Sequence, residues 1–140
     1  MEKRDRVKTE SIKQKFDPED ESSKYAEYEV ASHCLIIHLK RELDHHCVLY
    51  IRERSDYLIN KRRIKNIIFD FSNSHFMDSS GIGVIMGRYK KVIFTGGSVA
   101  VADVDDTVDR IFELSGLYKI IRKYNTTKEA FDDLKQMDYS

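Results

Sequence analysis

The residues best suited to chemistry are Asp78, Ser79 and Ser80, within the segment FSNSHFMDSSGIGVIMG at 71–87. An apolar β-type run ends shortly before them, and a helical pattern follows them. Aspartate and serine cap helix N-termini because their side-chain oxygens accept hydrogen bonds from free backbone N–H groups. The simplest interpretation of these three residues is therefore a helix cap.

Three glycines, Gly81, Gly83 and Gly87, follow within the predicted helix, where each costs about 0.5–1 kcal/mol relative to alanine. A first turn without side chains lets another backbone or a ligand approach closely. A phosphate on one of the serines would lie at the positive end of the helix dipole. It would add a charge of about −1.5 to −2 beside Asp78. The segment thus fits either a cap alone or a docking surface that phosphorylation switches off.

Alternating strands and helices must position this segment. The predicted strands span 25–31, 34–39, 66–71, 98–103 and 119–122, and Ser32-His33 forms a hairpin turn. Helices are predicted from Asp44, over 80–94, over 107–115 up to Gly116, and after a capping box of Thr126 and Glu129. This order predicts an α/β fold in which an opening hairpin joins parallel strands in one mixed sheet.

Helical spacing also predicts which side chains are buried. The helix over 80–94 carries one apolar stripe, with Arg88, Lys90 and Lys91 outside it. The stripe consists of Ile82, Ile85, Met86, Tyr89 and Ile93. Cys34 and Cys47 are expected to be small buried apolar residues, and two cysteines are too few for a disulfide scaffold.

Composition limits the remaining possibilities. In 140 residues, 24 Lys and Arg balance 24 Asp and Glu, which argues against nucleic-acid binding by bulk charge. No apolar run approaches the roughly 18 residues of a membrane span, so we expect a cytoplasmic protein, as a monomer. Residues 1–24 are predicted to form a flexible charged arm, with a helix over Val7–Phe16, and residues 25–140 the folded domain.

Three blocks resemble one known family. ELDHH (42–46), FMDSSGIGVIMGRYK (76–90) and FELSGLYKIIR (112–122) are similar to the anti-sigma factor antagonists of the STAS family, with the strongest resemblance to its sporulation members. The resemblance implies a STAS-type mixed sheet with helices packed mainly on one face. It also implies that the unmodified protein binds an anti-sigma factor serine kinase and releases the sigma factor. Phosphorylation then switches the protein off, and a PP2C-type phosphatase restores it.

The family motif assigns roles to residues of this chain. Ser79 matches the phosphorylated serine, Asp78 the aspartate before it, and Asp44 a loop aspartate near the phosphosite. The remaining residues expected to contact the partner are Ser80, Gly81, Ile82 and Gly83. Two departures bear on partner contact: Arg41 replaces a small residue of the family, and the loop after residue 103 is more acidic. The alternative is a STAS domain used as a signalling scaffold or a regulatory subunit of a transport complex.

Three other kinds of site are disfavoured. The glycines imitate a dinucleotide-binding motif, but SNSHFMDSS (72–80) separates them from the strand. DSSG is not a nucleophile elbow, and no Walker motif is present, so no catalytic residue and no cofactor is predicted. Nucleotide binding by the chain itself stays open.

A metal site is disfavoured as well, because adjacent helical residues diverge and neither CxxC nor HxxxH spacing occurs. The histidines are instead expected at the surface or at helix caps. The residues considered were His33, Cys34, His38, Asp44, His45, His46, Cys47 and His75.

Overall fold

Six β-strands and four α-helices make up the computed structural model, which describes residues 11–14 and 21–138. The strands are β1 (Ser11–Gln14), β2 (Ala26–Ala31), β3 (Cys34–Leu39), β4 (Asn66–Asp70), β5 (Val99–Ala102) and β6 (Arg122–Tyr124). The helices are α1 (Val48–Arg62), α2 (Ser79–Ile93), α3 (Asp106–Ser115) and α4 (Thr127–Met137). The element order predicted from the sequence is confirmed from β2 to α4.

All six strands belong to one sheet, in which the spatial order follows the chain order. β1, β2 and β3 pair antiparallel, and β3, β4, β5 and β6 pair parallel. The predicted mixed sheet is therefore confirmed. Because parallel strands end at the same edge, the loops that follow β3, β4 and β5 meet there.

The helices cover the two faces of the sheet unequally, as predicted. One face packs Leu35, Ile37, Ile67 and Phe69 in a core that also holds side chains of α1, α2 and α3. The other face packs small residues such as Ala100 in a separate cluster with α4. Both cysteines are unpaired and buried, as expected, and burial raises the pKa of the Cys47 thiol to about 11.

The buried face of α2 differs from the predicted stripe. Val84, Ile85 and Val92 are buried, whereas Ile93 is exposed. Arg88, predicted to lie outside the stripe, exposes only 2% of its side chain and pairs with Asp56 of α1 at 2.7 Å. The prediction was wrong because hydropathy assigns arginine to the surface, while a partner carboxylate and a carbonyl on α1 stabilise the guanidinium in the interior.

The predicted arm contains an unpredicted strand. Residues Ser11–Gln14 pair antiparallel with 28–31 of β2, so the helix predicted over Val7–Phe16 is wrong at these four positions. Ile12 is the strand's one apolar residue, and it lies opposite Val30. The sequence SIKQ is too polar to indicate a strand by its own pattern. It forms a strand because it pairs with β2 at the edge of the sheet. Within the rest of the predicted arm, Glu21–Lys24 form a 3-10 helix, and residues 1–10 and 15–20 lie outside the described residues.

The last strand begins later than predicted. Leu117–Lys119 form a 3-10 helix, and β6 starts at Arg122. The Tyr118 ring stacks on Phe112 with centroids 5.2 Å apart, and its hydroxyl donates to Asp109 at 2.6 Å. These tertiary contacts stabilise the 3-10 turn after Gly116. The apolar pattern of this segment alone does not distinguish such a turn from a strand.

Candidate functional site

The loops after β3 and β4 are joined directly at the sheet edge. Leu43 and Met77 form an isolated parallel bridge, in which the Leu43 N–H donates to the Phe76 carbonyl at 3.0 Å. The Asp78 N–H in turn donates to the Leu43 carbonyl at 3.4 Å. The loop that carries Asp44 is therefore held against the residues that begin α2.

Asp78 is the N-cap of α2, as the sequence predicts. Its Oδ1 accepts hydrogen bonds from the N–H groups of Ser80 at 2.8 Å and Gly81 at 3.2 Å. Its Oδ2 accepts from the His45 N–H at 3.2 Å. Burial raises the pKa of the Asp78 carboxyl, but the hydrogen bonds from Gly81, His45 and Ser80 outweigh it and lower the pKa below its usual value. Asp78 thus begins the helix and fixes the neighbouring loop.

The two serines after this cap differ in accessibility. Ser79 is the first residue of α2 and is exposed, whereas Ser80 is half-buried. A hydroxyl that an enzyme is to modify must reach that enzyme's active centre. Accessibility therefore favours Ser79 over Ser80 as a modification site.

The glycines of the first turn have different surroundings. A Cβ atom on Gly81 would collide with the Leu43 carbonyl and would lie 2.7 Å from Cγ of Met77, whereas one on Gly83 would meet nothing within 4 Å. The close backbone approach expected at Gly81 is thus made by the chain's own loop, and Gly81 is buried. Gly83 is exposed and leaves a bare surface.

Apolar groups lie close to Ser79 along the chain. Ile82 is half-buried, one turn further along α2. Phe76, three residues before Ser79, leaves 45% of its surface exposed. The sequence analysis did not select Phe76, because a single aromatic residue in a loop gives no signal of exposure.

Asp44 lies in the turn before α1 and not on the helix. Its Oδ1 accepts a hydrogen bond from the His46 N–H at 3.0 Å, and α1 begins only at Val48. Arg41, the departure noted in the sequence, places its guanidinium carbon 5.8 Å from the ring centroid of Tyr25. That ring stacks in turn on Tyr50, so Arg41 belongs to an aromatic cluster beside the Asp44 loop.

One histidine is buried, contrary to prediction. His38 of β3 exposes 2% of its side chain; its Nδ1 lies 2.6 Å from Asp70 Oδ2 and its Nε2 lies 2.8 Å from Glu29 Oε1. Burial raises the pKa of the Asp70 carboxyl, but the hydrogen bond from His38 contributes to a net lowering. These three residues lie on adjacent strands. Their contacts connect those strands on the α4 face of the sheet and are not part of the Ser79 site.

The model of the STAS domain family matches residues 25–130. The chain belongs to the STAS domain family. An anti-sigma F factor antagonist of Paenibacillus polymyxa is 43% identical to this STAS domain over 101 residues, which cover 72% of this chain and 86% of the relative. A second anti-sigma F factor antagonist, from Lysinibacillus sphaericus, is 33% identical over 88 residues, 63% of this chain and 75% of the relative.

Solved structures agree with the fold of the STAS domain. The anti-sigma factor antagonist SpoIIAA in its unphosphorylated form is 28% identical and superposes with a TM-score of 0.63, covering 77% of this chain and 94% of that one. The Bacillus cell fate determinant SpoIIAA in the phosphorylated form is 32% identical, with a TM-score of 0.62 and coverage of 77% and 97%. No helix in residues 21–138 of the STAS domain has both the length and the apolar character that crossing a membrane requires.

Proposed function

We propose that this STAS domain is an anti-sigma factor antagonist of the sporulation type. Its unmodified form binds an anti-sigma factor serine kinase, and this binding releases the sigma factor. The observation that carries the proposal is the exposed Ser79 hydroxyl at the capped N-terminus of α2. The relatives named as anti-sigma F factor antagonists, and the SpoIIAA structures in unphosphorylated and phosphorylated forms, support it.

The surface that would bind the kinase is the docking surface, defined here as Asp44, Phe76, Ser79, Ile82 and Gly83. Residues 79, 82 and 83 share one face of α2 because they are three and four positions apart. Asp44 and Phe76 lie in the two loops that the Leu43–Met77 bridge joins. Asp78, Ser80 and Gly81 belong to the same site but hold the helix and the loop in place, since their contacts are made within the domain.

Phosphorylation of Ser79 would end this interaction by local charge and bulk. The phosphate adds about −1.5 to −2 charge beside Asp78 and in a site that also contains Asp44. The new group is compatible with the domain itself because it lies at the positive end of the helix dipole. A partner packed over Ile82 and the bare Gly83 would meet repulsion and a desolvation cost. No rearrangement of the backbone is needed.

The chemistry of this switch belongs to other proteins. The kinase transfers the phosphate and a PP2C-type phosphatase removes it, and the STAS domain acts as their substrate, a monomer in the cytoplasm without cofactor or catalytic residue of its own. The accessible serine favours this function over that of a scaffold or a transport regulator.

The proposed function is tested by displacement of a sigma factor. The cognate complex of sigma factor and anti-sigma kinase is mixed with this protein, and free sigma factor is measured by size-exclusion chromatography. Wild type should release the sigma factor, and Ile82→Glu should not, because it places a charge on the docking surface. Leu114→Glu is the matched control: Leu114 lies on α3 with 75% of its surface exposed, and this variant should act like wild type. Absence of release by wild type, or equal release by Ile82→Glu, would contradict the proposal.

A further inference from the structure

We propose that Asp44, His45 and His46 form a binding site for a divalent transition-metal ion, with Zn²⁺ as the best-suited ion. One potential ligand atom from each residue lies within 4.8 Å of the other two. The three residues occupy the turn between β3 and α1, which begins at Val48. Adjacent residues diverge on a helix, but these three residues precede the helix.

The two imidazoles lie side by side. Their ring centroids are 4.0 Å apart and their planes differ by 36°. The side chains of His45 and His46 are 66% and 69% exposed, whereas that of Asp44 is 26% exposed. One carboxylate fixed in the turn and two accessible imidazoles therefore share one small region of the surface.

One imidazole has a carboxylate from outside the group beside it. His45 Nδ1 lies 3.4 Å from Asp78 Oδ2. Histidines that bind metals usually donate their other ring N–H to a carboxylate, which fixes the tautomer. Donation from His45 Nδ1 to Asp78 leaves His45 Nε2 with a lone pair for a metal, whereas His46 Nδ1, 3.4 Å from Asp44 Oδ1, can bind the same ion as that carboxylate. The contact with Asp78 is the second observation that indicates a ligand site.

The donor set determines the class of ion. Imidazole nitrogen suits Zn²⁺, Cu²⁺ and Ni²⁺, while Mg²⁺ and Ca²⁺ prefer sets of oxygen ligands. Two imidazoles and one carboxylate leave a fourth position for water in a tetrahedral Zn²⁺ site. Zn²⁺ bonds of about 2.0–2.1 Å place tetrahedral ligands about 3.3 Å apart. Closing from the 4.8 Å limit requires rotation of the two exposed imidazoles.

The site shares Asp44 with the docking surface but is inferred independently of the proposed function. Its loop is the one that donates the His45 N–H to Asp78, the cap of the helix that begins at Ser79. A bound cation would thus add positive charge to the loop that contacts the Asp78 cap. The failure of either inference leaves the other intact, because metal binding is measured without kinase or sigma factor.

The test is calorimetric titration of ZnCl₂ into the full chain. Wild type should bind one Zn²⁺ ion, and His45→Ala and His46→Ala should each weaken binding by at least about tenfold. Asp44→Asn, which keeps an oxygen for the His46 N–H but loses the charge, should weaken it similarly. His75→Ala is the matched control, since His75 is 64% exposed and pairs with Asp105 at 2.9 Å without belonging to the three-residue group.

Titration of Co²⁺ provides a second measurement. The visible absorption of bound Co²⁺ should appear in wild type and His75→Ala and disappear when either His45 or His46 is replaced. Circular dichroism verifies that the variants are folded. Absence of Zn²⁺ binding by wild type, or equal affinities for His45→Ala, His46→Ala and His75→Ala, would overturn the inference.

Discussion

Alanine substitutions at Gly81 and Gly83 should change stability in opposite directions, although the two residues occupy the same turn of α2. Both are helical, and neither has a positive φ angle. Alanine at either position gains about 0.5–1 kcal/mol of helix propensity. The difference between the two variants therefore comes from what the added methyl group meets.

At Gly83 the methyl group meets nothing within 4 Å. Gly83→Ala should therefore stabilise the chain by the full helix propensity, about 0.5–1 kcal/mol. At Gly81 the methyl group collides with the Leu43 carbonyl, which is fixed by the bridge to Met77. Overpacking of this kind costs about 1–3 kcal/mol. From the midpoints of these two ranges, we expect a net destabilisation of about 1 kcal/mol for Gly81→Ala.

Urea unfolding followed by circular dichroism measures both changes, with the free energy of unfolding taken from the midpoints at a common slope. The melting temperature should move by about 4 °C for each kcal/mol. Gly83→Ala should also weaken kinase binding while it stabilises the fold, because its methyl group projects from the docking surface. Equal signs for the two stability changes would refute the argument that Gly81 is required by the Leu43 loop.

Other properties of the fold and the switch give further predictions. Arg88→Met should lower the free energy of unfolding by about 3 kcal/mol, the low end of the range for a broken buried pair, because Asp56 is 34% exposed and stays hydrated. Lys91→Met, which removes a more exposed cation 3.5 Å from the same carboxylate, should cost less than about 1 kcal/mol, and equal losses would contradict the buried role. Because the pKa of Asp78 is lowered in the folded protein, the stability that its carboxylate contributes is complete above the ordinary pKa of 3.8. That stability is lost as the pH falls through the pKa of the folded state. The urea midpoints of wild type and Asp78→Ala should therefore converge in acid, and divergence would count against the cap. Ser79→Asp should weaken kinase binding by about tenfold, or 1.4 kcal/mol, whereas neutral Ser79→Asn should bind like wild type. A similar loss for both variants in a binding titration would show that bulk, not charge, ends the interaction.

Most of the fold follows from local patterns. The Thr126 side chain accepts from the Glu129 N–H at 3.0 Å, which confirms the cap at the start of α4. Gly116 ends α3 with a φ of 79°, as a helix-ending glycine should. These elements could be predicted because the residues that form them are only a few positions apart.

The errors concern interactions between distant parts of the chain. Arg88 is buried because Asp56, 32 positions away, pairs with it. His38 is buried because carboxylates on two neighbouring strands flank it. The strand β1 forms because β2 offers it an edge. Hydropathy and spacing describe one segment at a time, so they cannot show which polar groups find partners across the sheet.

The helix cap was predictable from the sequence, but the different surroundings of the residues that follow it were not. Aspartate before a helical pattern marks an N-cap, and Asp78 is the N-cap of α2. Only the structure shows that Gly81 faces the Leu43 carbonyl while Gly83 faces open space. The sequence also placed His45 and His46 on a helix, and the turn that brings their rings together became visible only with the start of α1 at Val48.

In the proposed switch, the hydroxyl of Ser79 at the start of α2 accepts the phosphate. The protein is incubated with its cognate anti-sigma kinase and ATP, and the modified residue is located by mass spectrometry in wild type, Ser79→Ala and Ser80→Ala. We predict a single phosphate on Ser79 in wild type and in Ser80→Ala, and none in Ser79→Ala. A phosphate on Ser79→Ala equal in amount to that on wild type would refute Ser79 as the phosphorylated residue.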